Sequence, residues 1–316
     1  MHDDRFQTDA DVALPALVRH RAGCGCALHA RRRFGAVLAA AGAGVALPAL
    51  AQDGLQRDVG QTSRFAKFVP ADQLESTAGQ QYQQMLSEAS QQKALAPIDH
   101  PQVVRLRAIA DRIVPFTPPW NPRAKQWKWE VNLIGSKQIN AFCMPGGKIA
   151  FYFGILQQLQ LSDDEVATIM GHEMAHALRE HARERIGKTV ATRAGAGLLS
   201  SLLGLGSLGN AVLDASSQLL TLKFSRDDET EADIVGMDLA ARAGYDPRAG
   251  VSLWEKMMAA NKGAPPQFFS THPAGPTRIA DIQAKLPKVE PLYAVAARPP
   301  KRFAPPAAEA APKKAG

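Results

Sequence analysis

The chain has 316 residues, 46 % of them apolar and 21 % charged, and a net charge of +7 at pH 7. That composition supports a packed core in one large or two small domains. Its 37 basic residues are scattered among 30 acidic ones and form no stripe with interleaved aromatics, which argues against nucleic acid as a partner.

Residues 1–51 read as an export address. Arg31, Arg32, Arg33 and Phe34 precede a soft apolar run from Gly35 to Leu50, with small residues at its end, so cleavage is expected after Ala51 and delivery to the periplasm. The arginines resemble a twin-arginine signal, and the run is shorter than the roughly 20 residues a membrane span needs. Cleavage removes Cys24 and Cys26 and leaves Cys143 without a disulfide partner.

Residues 52–97 are expected to be a helical lead-in, with a helix from Pro70 to Ala96. A domain over 98–286 then begins with a helix from Asp99 to Val114, and a cluster of prolines from Pro115 to Pro122 ends it. Alternating apolar and polar residues from Trp127 to Ile134 and from Gln138 to Met144 predict strands. Pro145, Gly146 and Gly147 predict a turn before a strand from Lys148 to Phe153. Ser162 and Glu165 form a capping box that opens a helix through Glu184. An uncharged stretch from Ala194 to Leu213 reads as a flexible helical flap or a helix lying on a membrane surface, and so as a possible peripheral membrane contact. Helices from Asp227 to Arg242 and from Pro247 to Ala260 follow. Residues 287–316, rich in Pro, Ala and Lys, read as a disordered tail. The fold class is α+β: a mainly helical domain with a small mixed sheet.

His172, Glu173, Met174, Ala175 and His176 spell H-E-x-x-H. On a helix the two histidines lie one turn apart on one face, so one cation reaches both. Glu173 is displaced about 100° around the helix, where its carboxylate can serve as base to a water on the ion. A catalytic zinc takes three protein ligands and keeps an open position. His181 does not fit the spacing for a third histidine and reads as structural. In the acidic cluster that opens the next helix, Glu229 and Asp233 share a face while Glu231 points about 200° away. Glu229 is therefore the candidate ligand, with Asp233 supporting a ligand histidine through its ring N–H. Asp227 and Asp228 are explained by the helix dipole alone.

The ordered set Asn140-Ala141-Phe142, Pro145-Gly146-Gly147, H-E-x-x-H, Glu229-Thr230-Glu231-Ala232-Asp233 and Ser270-Thr271-His272-Pro273 with Arg278-Ile279 resembles the HtpX and CAAX-prenyl-protease group of gluzincins. Within that group it is most similar to the soluble periplasmic BepA/LoiP-like branch, over roughly Pro70 to Leu286. The sequence contains neither the multi-helix membrane body of HtpX nor the helical repeats of BepA. The resemblance implies a zincin-like fold, one zinc ion held by His172, His176 and Glu229, Glu173 as catalytic base, and cleavage of internal peptide bonds in misfolded or unfolded envelope proteins. It also draws His272 and Arg278 into the site: His272 either plugs the open metal position or, beside Arg278, hydrogen-bonds the developing oxyanion. Asn140, Ala141 and Phe142 belong either to an edge strand that pairs with extended substrate or to an interior strand of the same sheet. The rival function is a non-proteolytic holdase using a zinc-stabilised groove, for which an intact Glu173 has no purpose.

Overall fold

The computed structural model describes residues 55–197, 219–261, 266–272 and 277–308. The export signal therefore lies outside the described residues, and so does the flap apart from the backbone of Ala194 to Gly197. No helix among the described residues is long and apolar enough to cross a membrane.

Helix α1 (Ala71–Gln91) buries Leu74, Ala78, Tyr82, Leu86 and Ala89, a stripe at the 3–4 residue spacing that one helical face provides. Helix α2 (Pro101–Ile113) follows, started by Pro101 at its first position and by the His100 ring accepting from the Gln102 N–H. Three strands, β1 (Glu130–Ile134), β2 (Ala141–Met144) and β3 (Lys148–Tyr152), form a sheet in the order β1-β3-β2, parallel between β1 and β3 and antiparallel between β2 and β3. Gly146 and Gly147 both have positive φ, 85° and 78°, which closes the β2–β3 turn in a conformation that glycine adopts without strain. Strand β2 is an edge of this sheet, as one of the two sequence readings required.

A short helix α3 (Phe153–Gln158) leads to α4 (Asp163–Leu178), which carries H-E-x-x-H and opens with both hydrogen bonds of the Ser162/Glu165 capping box. Its first turn is anchored by the fully buried Arg105. The guanidinium donates to Asp163 at 2.7 Å, to the Leu161 carbonyl at 2.6 Å and to Gln102 at 3.0 Å. The buried charge is thereby paired and its donors are used.

The single helix expected through Glu184 is two. The chain breaks at Arg179 and Glu180, where Glu180 takes φ of 59°, and α5 (His181–Gly197) departs in a new direction. Neither glycine nor proline marks the break. The Glu180 carboxylate instead accepts from Arg183 Nη1 at 2.8 and 2.7 Å, a local ion pair that accompanies the strained residue.

Helix α6 (Arg226–Arg242) crosses α4 at two glycines. A Cβ added to Gly171 would stand 2.7 Å from the Gly236 carbonyl, and one added to Gly236 would stand 2.7 Å from the His172 nitrogen. The two backbones are thus in contact, and this crossing brings the acidic end of α6 to the histidines of α4. Helices α7 (Ala249–Ala260), α8 (Phe268–Thr271) and α9 (Arg278–Val295) complete the fold.

The reading of 287–316 as a disordered tail is corrected by α9, which runs to Val295 with Pro287 and Pro291 inside it and buries Ile282, Val289 and Leu292. Burial of that face outweighs the helix-breaking tendency of the prolines. Beyond it the chain lies as a strap over the N-terminal ends of α4 and α2. The Phe303 N–H donates to Asp163 at 2.8 Å, Arg302 pairs with Asp164 at 2.8 Å, and the carbonyls of Ala304 and Pro306 accept from Gln102 and Gln160.

Candidate metal and active site

The α4/α6 crossing places His172, His176 and Glu229 together, and the segment after α8 adds His272. All four are buried, and one potential ligand atom from each lies within 4.8 Å of the others. His172 Nε2 is 3.1 Å from His176 Nε2, 3.6 Å from Glu229 Oε2 and 3.4 Å from His272 Nδ1. Glu229 Oε1 is 3.4 Å from His176 Nε2 and 3.0 Å from His272 Nδ1. A tetrahedral ion bonded at about 2.0 Å sets its donors about 3.3 Å apart. The five separations, taken to one or the other Glu229 oxygen, lie near that edge length, and a set of imidazole nitrogens with one carboxylate suits a transition metal better than calcium or magnesium.

The other ring nitrogens of His172 and His176 are also occupied. His172 Nδ1 faces Asp233 Oδ1 at 2.9 Å, and His176 Nδ1 faces His181 Nδ1 at 2.9 Å. Phe224 stacks on His176 with centroids 4.0 Å apart, and Phe268 stacks on His272 at 4.3 Å. Nothing in the sequence singled out these two phenylalanines.

Arg278 lies behind the centre. Its guanidinium donates to both oxygens of Asp233 at 2.5 and 2.7 Å and to Glu229 at 2.7 Å, and it rests 3.7 Å over the Trp254 ring. Its donors are engaged by two carboxylates, and it lines the groove between α6 and α9. Burial works against ionised carboxylates here. For Asp233 burial is the largest single influence, but Arg278 and His172 together outweigh it, and for Glu229 the hydrogen bonds of His176 and His272 with the charges of His272 and His172 do the same, so that both carboxyls are held below the usual range.

Glu173 is set apart from this balance. It is 2 % exposed, and its Oε1 has no hydrogen-bond partner among the described residues, with His272 Nε2 standing 3.6 Å away. Burial raises its pKa. It opens on a cleft of about 230 Å³ that His176 and His272 also line. Asn140, Ala141 and Phe142 stand along one wall of the cleft, and Leu220, Leu222 and Phe224 along the other.

Comparison with known proteins places this geometry in context. The profile of peptidase family M48 matches residues 102–286. The mitochondrial metalloendopeptidase OMA1 of Schizosaccharomyces pombe is 34 % identical over 66 % of the chain and 60 % of that relative. OMA1 of Arabidopsis thaliana is 39 % identical over 48 % of the chain and 30 % of the relative. The metalloprotease LoiP of Escherichia coli is 28 % identical over 68 % of the chain and 81 % of the relative. The chain thus spans less than two thirds of the length of either OMA1 protein. These matches overturn the periplasmic location expected from the sequence, since two of the three relatives are mitochondrial by name and exceed LoiP in identity.

Proposed function

The chain belongs to peptidase family M48, and on that premise we propose that it is a zinc-dependent endopeptidase cutting internal bonds of unfolded or misfolded polypeptides. The observation that carries the reading is the unpartnered, buried Glu173 oxygen beside four converging donors at the floor of an open cleft. A holdase with a purely structural metal has no use for such a carboxyl group.

In this reading His172, His176 and Glu229 would hold the ion, and His272 would be a fourth donor that a substrate has to displace. When bound, zinc polarises a carbonyl and brings the acidity of water towards neutrality. Glu173 takes the proton of the attacking water and returns it to the departing amine, a role that its raised pKa suits. Asp233 accepts the His172 Nδ1 proton and so leaves Nε2 free for the ion. Arg278 holds Asp233 and Glu229 in place. Strand β2 offers its edge to an extended chain, which reads shape more than side-chain identity.

The test is digestion of casein with the product termini read by mass spectrometry. Internal cuts that stop on chelation and return with zinc support the proposal. Removal of single residues from a chain end, or cutting indifferent to the chelator, contradicts it.

A further inference from the structure

His181 follows H-E-x-x-H across the break in the helix, and the left-handed turn at Glu180 folds it back beneath His176. It is 1 % exposed. Its Nδ1 lies 2.9 Å from His176 Nδ1, and its Nε2 lies 3.2 Å from Glu231 Oε2. The other Glu231 oxygen accepts from Arg179 Nε, and Arg179 also reaches the Gly60 carbonyl. A side chain that helical geometry turns away from Glu229 is thus tied to the same centre through a second histidine.

Two imidazole nitrogens at hydrogen-bond distance share one hydrogen, so one donates and the other accepts. If His176 Nε2 is to carry a lone pair toward the donor cluster, its Nδ1 must hold the hydrogen and His181 Nδ1 must accept it. The one hydrogen of neutral His181 then sits on Nε2 and points at Glu231, which can only accept. Each link fixes the next. Reversing the chain would put a hydrogen on His176 Nε2 and withdraw it from the cluster.

We infer that His181, oriented by Glu231 and Arg179, is a positioning residue that selects the tautomer of His176 able to bind metal. The two histidines of the motif are then held differently, His172 by Asp233 directly and His176 by a carboxylate acting through an imidazole. Partners of this kind are worth roughly 10- to 100-fold in metal affinity. The inference rests on the reading of His176 as a ligand.

To test it, zinc is titrated into the metal-free full chain against a chromophoric chelator, and the visible spectrum of the cobalt(II) form is recorded. His181→Phe should weaken zinc roughly 10- to 100-fold and alter the cobalt spectrum. His181→Gln, whose amide oxygen can accept the His176 N–H, should restore most of the affinity, and Glu231→Gln should lose less than His181→Phe. Wild-type affinity and spectrum in His181→Phe and Glu231→Gln, with binding lost in His176→Ala, would overturn the inference and leave the metal centre intact. Wild-type zinc affinity in His176→Ala would remove the metal centre and the inference together. If circular dichroism shows His181→Phe unfolded, Glu231→Gln decides, and unchanged affinity there overturns the inference.

Discussion

His272 reaches the metal centre from outside the two helices that supply the other donors, and its ring is held flat against Phe268. Three donors satisfy a catalytic ion, so the fourth must leave or be displaced before a substrate carbonyl can enter. His272→Ala should therefore keep its zinc and cleave casein several-fold faster than wild type. Slower cleavage with zinc retained would assign the ring to the oxyanion instead. At this scale the sequence was most legible where a side chain's placement follows from spacing along one helix: His172 with His176, and Glu229 with Asp233. His181 read as structural because its link to His176 depends on a reversal of the chain at Glu180. Glutamate in a left-handed conformation gives no sequence signal.

The crossing of α4 and α6 converts those local spacings into a site. Gly171 and Gly236 allow the backbones to touch, and Glu229 and Asp233 lie about two turns and about one turn before Gly236 on α6. Gly236→Ala should force the helices apart, costing about 1–3 kcal/mol in urea unfolding and weakening zinc binding. A stability loss with unchanged zinc affinity would mean that the crossing supports the fold but does not set the ligand geometry. Glycine within a helical pattern reads from sequence only as a cost relative to alanine, because the neighbour that requires it lies 65 residues away along the chain. The helix, strand and turn assignments around the site were legible because capping boxes, alternation and the Gly146-Gly147 turn are local signals. The end of α4 was not, for the reason just given at Glu180.

Over the whole molecule, both ends of the described chain close on the peptidase domain. Leu55 donates its N–H to the buried Asp238 at 3.0 Å, and Asp58 accepts from Lys285 at 2.6 Å and from Lys288 at 2.7 Å on α9. Hydrogen bonds from those lysines, with their charge, hold the Asp58 carboxyl below its usual range. A depressed carboxylate pKa contributes stability above the unfolded value near 4, and that contribution is lost as pH falls through the folded value. Asp58→Asn should thus lower the unfolding free energy from urea titration at pH 7 by up to about 1 kcal/mol, and make no difference near pH 2. An equal effect at both pH values would mean that packing and not charge joins these segments. The strap and α9 were illegible for a related reason. Their proline-rich composition describes a chain without a core of its own, and their partners lie far back in the sequence: Asp163, Asp164 and Gln160 for the strap, α6 and α7 for α9.

The central claim is that Glu173 is the base of a zinc peptidase. It is tested most directly by comparing casein degradation by the wild-type chain and Glu173→Gln at equal, measured zinc content. The account predicts one zinc in each and at least about a 100-fold loss of cleavage in the variant. Undiminished cleavage by Glu173→Gln with its zinc in place would contradict it.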